Sequence, residues 1–166
     1  MTKIYLDEEV SRVWGSEAGD DAALTSEGLA DGAGRRGELD DWGAAPRADR
    51  YRIECWAQFQ ATPNVGDVLR VYLYEGGTDT ATPDHDEMGG GTDAAISSED
   101  ELRNAAHVLS VIVTEASADT EFYAQAVVEI TSRHFGVALW NATGASTTTD
   151  ASETKVRVTA IPPDIQ

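Results

Sequence analysis

The sequence predicts an all-β fold: an antiparallel β-sandwich or jelly-roll-like body over residues 50–166, with an extended, irregular N-terminal arm over residues 1–49. Two observations predict the body. Six segments after residue 50 carry strand-type hydrophobic patterns separated by turn residues, and no segment sustains a 3.6-residue apolar period. A third predicts the arm. Residues 15–49 are rich in Gly, Ala and Asp and hold few large apolar residues, namely Leu24, Leu29, Leu39 and Trp42.

Within the arm, Lys3-Ile4-Tyr5-Leu6 has a short β-like pattern, and a mixed stretch ends at Val13-Trp14-Gly15. Four Gly between Gly28 and Gly37 make a regular helix or strand improbable there. Pro46 marks the expected end of the arm. The first body strand is Tyr51 to Gln60, where Tyr51, Ile53, Cys55, Ala57 and Phe59 share one face. After a turn at Thr62–Asp67, a second strand runs from Val68 to Tyr74 with Leu69, Val71 and Leu73 inward. A long polar loop follows, from Gly76 to Thr92. Ser98 with Glu101 three residues on has capping-box spacing and predicts a short helical turn. Further strands are expected at Ala106–Thr114, at Glu121–Ile130 and at Arg133–Trp140. Asn141-Ala142-Thr143-Gly144 reads as a turn, Lys155–Ile161 as the last strand, and Pro162-Pro163 as its stop.

The charge is lopsided. Thirty Asp and Glu stand against twelve basic residues, only two of them Lys, for a net charge of −18. Such a surface repels phosphates and argues against nucleic-acid binding. No apolar run is long enough for a membrane span, so neither nucleic acid nor membrane is an expected partner. The acids are dispersed from Asp7 to Asp164 with no acidic tail. Dispersed acidity with almost no Lys fits a surface adapted to molar salt, where the screening length falls to about 3 Å and self-repulsion is muted.

No catalytic constellation is visible. Cys55 lies on an apolar strand face, and His107 and His134 lie in or beside strands, where a structural role is the simpler account; His85 is the third histidine. No cofactor is expected. The loop acids Asp84, Asp86 and Glu87 are weak metal candidates for a calcium or sodium ion; Ala95 stands where an EF-hand needs its bidentate Glu. Asn141 heads an Asn-x-Thr glycosylation pattern that is also a good turn. Trp14, Leu24, Leu29 and Trp42 in the arm, with Trp56 and Trp140 on otherwise polar strand faces, are the candidate assembly contacts.

Several short motifs, in order, carry a likeness to known proteins. They are Leu24-Thr25 with Leu29-Ala30-Asp31-Gly32-Ala33-Gly34-Arg35; Gly66-Asp67-Val68-Leu69-Arg70-Val71-Tyr72-Leu73; Asp93-Ala94-Ala95-Ile96; and Leu102-Arg103-Asn104. Phe135 to Gly144 and then Lys155-Val156-Arg157-Val158-Thr159 complete the set. Across residues 24–161 the chain resembles the small β-rich structural proteins of tailed-virus and prophage particles. The resemblance implies a non-enzymatic, head-associated decoration, turret or fibre-base protein in the virion, made in the host cytoplasm. Its implied partners are further copies of itself and the major capsid protein or other virion proteins. With the acidity, it implies a virus of a halophilic archaeon. Alternatives are a tail or neck component, or a host-surface glycan-binding module using Trp56, Trp140 and the 76–92 loop. The arm is expected to order on assembly, so that a chain lacking residues 1–45 would still fold.

Overall fold

The computed structural model describes residues 10–43, 48–76 and 92–161. The expected strand piece at Lys3–Leu6, Pro46, Pro162-Pro163 and nearly all of the 76–92 loop lie outside the described residues. Among the described residues there are eleven strands: β1 (Ser11–Gly15), β2 (Ala22–Ala23), β3 (Ala33–Arg36), β4 (Asp40–Asp41), β5 (Arg50–Ala57), β6 (Val68–Glu75), β7 (Ala94–Ile96), β8 (Ala106–Ile112), β9 (Phe122–Glu129), β10 (His134–Ala142) and β11 (Lys155–Ile161). They form a β-sandwich. One sheet has the order β2-β1-β11-β5-β9 and the other β7-β3-β10-β6-β8, with β4 also on β10. Every pairing is antiparallel except β1 with β2, which is parallel.

The strict alternation of β5 sends Tyr51, Ile53, Cys55 and Ala57 into the interior, and Phe59 joins them beyond the strand end. Leu69, Val71 and Leu73 of β6 and Phe135, Val137 and Leu139 of β10 meet them from the facing sheet. Val156 and Val158 of β11 and Phe122 of β9 complete this layer. All six strands expected after residue 50 are therefore present with the expected faces inward. The capping box also forms: Glu99–Leu102 is a single 3-10 turn, with Ser98 as N-cap and the Glu101 carboxylate accepting the Ser98 N–H at 3.1 Å.

The N-terminal segment departs from expectation. Residues 11–41 are not an appendage but supply β1 and β2 to one sheet and β3 and β4 to the other. β1 pairs with β11 in the register Ser11 opposite Thr159 to Trp14 opposite Val156. The Trp14 indole is fully buried, stacks on Phe135 at 5.8 Å and donates to the Glu38 carbonyl at 2.8 Å. Phe135 also meets Trp42 at 5.0 Å and Tyr51 at 5.5 Å, so four aromatic rings from both sides of residue 49 make one cluster. Between β2 and β3 the chain crosses from one sheet to the other, and Leu24 and Leu29 enter the interior. A division at residue 49 thus has no counterpart in the packing.

β3 overturns a second expectation, that four glycines make a regular strand improbable between residues 28 and 37. Gly34 lies opposite Trp140 in the β3–β10 pair, and a Cβ at Gly34 would come within 2.7 Å of the indole. Gly136 repeats the device on β10, where a Cβ would come within 2.7 Å of the Tyr74 ring. Glycine here admits the aromatic ring of the neighbouring strand, a close approach that only a missing side chain allows. The rings belong to a second apolar layer on the outside of this sheet: Leu39, Tyr72, Tyr74, Ile96, Leu102, Ala138 and Trp140.

Losing one buried Trp costs roughly 3–5 kcal/mol, against a total stability of about 5–15 kcal/mol for a domain. Deletion of residues 1–45 removes Trp14, Leu24, Leu29, Trp42 and four strands together. The truncated chain is expected to lack a cooperative thermal transition by circular dichroism, whereas a native-like melt would show that the segment is dispensable.

Candidate functional site

Of the six candidate assembly residues, four are buried and two, Trp42 and Trp56, are partly buried. Trp14, Leu24 and Leu29 lie in the main core, Trp42 is partly buried against it, and Trp140 is 8% exposed in the outer layer beneath Gly34 and Ile96. All five are engaged within their own chain; Trp14, Leu24, Leu29 and Trp140 are buried and offer no face to another subunit, and Trp140 offers none to a sugar ring. Trp56, like Trp42, is only partly buried. Asn141 is wholly buried and is no glycosylation acceptor. Its Nδ2 donates at 2.8 Å to both the Leu29 and the Ala145 carbonyls, and its Oδ1 accepts from the Thr143 hydroxyl at 2.7 Å. Asn-x-Thr-Gly is here an internal brace that fastens the 24–32 crossing. Asp84, Asp86 and Glu87 lie outside the described residues, as does His85. Among the described residues no group of three or more His, Cys, Asp or Glu is gathered to hold a metal. His134 is buried and near Asp41 (3.7 Å), and His107 folds back on its own strand.

Trp56 belongs to a polar cluster on the outer face of the β2-β1-β11-β5-β9 sheet. The Arg157 guanidinium lies over the Trp56 ring at 4.7 Å, and Tyr123 flanks it at 5.5 Å. At the centre is Glu54, which accepts from Arg157 Nε at 3.0 Å and from the Tyr123 hydroxyl at 2.8 Å, with Arg52 at 3.5 Å. Burial alone would raise the Glu54 carboxyl. The hydrogen bonds from Arg157 and Tyr123 outweigh it and hold the carboxyl below its ordinary value. Glu54 is therefore a fixed anion, satisfied by its neighbours, and the cluster ties three strands together. Behind it, burial pushes the Cys55 thiol up to about 12, which leaves no thiolate to act as a nucleophile.

Beside this cluster lies the feature with most capacity for contact. The two sheets end on the same flank in β8 and β9, which approach each other across the sandwich. The opposite flank ends in β2 and β7, of two and three residues. β8 and β9 are seven and eight residues long. β8 is guarded: its register with β6 shifts at Val71/Tyr72, and the His107 Nε2 lies 3.1 Å from the Leu109 carbonyl. β9 has neither device. Its eight pairs with β5 run without a shift, from Arg50 opposite Glu129 to Ala57 opposite Phe122. It contains no Pro or Lys, and no charged residue occurs from Phe122 to Val128, in a chain where a quarter of residues are charged. Among the described residues nothing pairs with its outer edge. Tyr123 (46%) and Val127 (51%) stand exposed along it, and Ile112 (55%) stands on β8. An unguarded edge of this length presents a row of backbone donors and acceptors to any strand that can reach it. The sequence shows the missing charge between Glu121 and Glu129, but only the sheet order shows that this segment is an edge.

The chain matches no protein-family model, and comparison with curated proteins finds no matching relative.

The acid response follows from the anchored carboxylates. Glu54 and Asp93 are both held below their ordinary values of 4.5 and 3.8. In Asp93, as in Glu54, burial works the other way and is outweighed, here by hydrogen bonds from Arg35 and Thr25. The folded chain thus binds these protons less readily than the unfolded chain. Their stabilisation is complete above the ordinary values and is lost as pH falls from there through the lowered ones. In molar salt the melting temperature should stay level from neutrality to about pH 5 and drop below about pH 4. Glu54→Gln should flatten part of that drop; identical acid curves for the two proteins would remove Glu54 from the account.

Proposed function

We propose that this chain is a non-enzymatic structural component of a tailed-virus particle, a head-associated decoration, turret or fibre-base protein that assembles through its sheet edges. The observation that carries the proposal is the β9 edge: long, unguarded and free of charge from Phe122 to Val128 on a chain of net charge −18. Soluble β proteins ordinarily blunt such an edge with charge, Pro or a bulge, and a building block is a setting in which leaving it open is useful. Weak contacts of this kind gain strength when many copies are held on one scaffold. The motif likeness over residues 24–161 supports the same role and names the partners: further copies of the chain and the capsid or other virion proteins. A tail or neck position is the nearest variant of the proposal. The glycan-binding alternative is weakened by the burial of Trp140.

The test is direct. Mass spectrometry of purified particles from a culture carrying the gene should detect the chain at many copies per particle. Its absence from particles, with the chain present in the host cells, would overturn the proposal.

The proposed habitat has its own test. Dispersed acids with two Lys in the whole chain fit a virus of a salt-loving archaeal host. The melting temperature is expected to fall steeply between molar and millimolar salt, and an unchanged value would refute adaptation to salt.

A further inference from the structure

We infer that β9 pairs with β9 of a second copy, antiparallel about a two-fold axis at Gln125, joining two five-stranded sheets into one of ten strands. The inference deepens the proposed assembly role and rests on it.

The register follows from the faces. Residues 123, 125, 127 and 129 are exposed, while the residues between them turn towards the interior. Opposed residues in an antiparallel pair point to the same side of the sheet, so the axis must pass through a residue and not between two. At Gln125, the exposed Tyr123 of one copy meets the exposed Val127 of the other, twice. Aromatic with β-branched is among the favourable cross-strand pairs. An axis at Ala126 would set Tyr123 against Glu129 instead.

Charge names the occupant. With a net charge of −18, two copies repel over most of their surfaces. The Phe122–Val128 stretch is a place where their backbones can approach with no carboxylate between them. A strongly basic partner would find no anion along that stretch, so a second copy fits it better. The same register brings Glu121 of each copy opposite Glu129 of the other at the two ends of the ladder. These like-charge pairs oppose the dimer at low salt and are screened when the Debye length is about 3 Å. The pairing is therefore salt-dependent by construction, tightening where the fold itself is favoured.

The full-length chain supplies a clean probe. Cys55 is its one cysteine and is buried and inert, so Gln125→Cys adds the single reactive thiol. Directly opposed residues lie within the Cα separation a disulfide spans. Sedimentation equilibrium at molar salt should give twice the monomer mass, with a dissociation constant at least about tenfold weaker at millimolar salt. Val127→Glu sits on an exposed position and should leave the circular dichroism and melting curve intact while abolishing the dimer. Mild oxidation of Gln125→Cys at molar salt should give a disulfide-linked dimer. A wild-type chain that is monomeric at molar salt overturns the inference. So does a dimer that Val127→Glu leaves intact, or a Gln125→Cys chain that does not cross-link. In the last two cases assembly through another surface survives. A β9 dimer in a chain that never enters particles would instead overturn the particle role alone.

Discussion

The structure is governed by the burial of β10 on both of its faces. Phe135, Val137 and Leu139 face the space between the sheets, while Gly136, Ala138 and Trp140 point the other way and are also covered. A strand of an antiparallel sandwich normally needs cover on one side only. Cover on the second side draws in Leu39 from the N-terminal segment, Tyr72 and Tyr74 from β6, and Ile96 and Leu102 from the stretch after the long loop. The strand's hydrogen-bonding edges make a similar demand. β6 takes one, while β3 and β4 share the other, with the Gly37 N–H bonding the Val137 carbonyl between them. Residues 33–41 are integral because β10 cannot be satisfied without them.

Polar groups at the end of the sandwich answer to the same burial. Asn141, Thr143, Thr147 and Ser26 are all buried. The Thr147 hydroxyl accepts from the Leu29 N–H at 2.8 Å and donates to the Ser26 carbonyl at 2.5 Å, and the Ser26 hydroxyl donates to the Thr154 carbonyl. Asp31 accepts from the Gly144 N–H at 2.9 Å on the rim. Without the Thr147 hydroxyl the crossing would bury the Ser26 carbonyl without a donor, at a cost of about 1–3 kcal/mol. Short polar side chains at these positions supply the donors, so a segment with little apolar content is held in place by satisfaction of its backbone.

Much of the fold was legible because alternation is a local signal. β5 and β9 read directly as half-buried strands, and Ser98 with Glu101 marked its turn. β2 and β4 are two residues long and acquire strand geometry only from β1 and β10, so no window of sequence contains them. Gly34 read as a breaker because Trp140, which needs its missing side chain, lies more than a hundred residues away. The site failed for a related reason. A sparse segment with scattered Trp resembles a docking arm, yet Trp14 and Trp42 converge on Phe135 and are spent inside the chain. The edge character of β9 was hidden because being an edge is a property of the sheet and not of the strand.

One consequence concerns the order in which the chain emerges during synthesis. β11, the last of the described strands, sits in the middle of its sheet, between β1 and β5. Until it leaves the ribosome, β1 with β2 on one side and β5 with β9 on the other have no strand to join them. The Ser11 and Thr159 hydroxyls, 2.8 Å apart in the finished protein, are 148 residues apart in sequence. Closure of such a distant pair is slow compared with local contacts. Half of the sandwich therefore waits for β11, and the nascent chain must carry the paired β5 and β9 unfinished until that strand slots in.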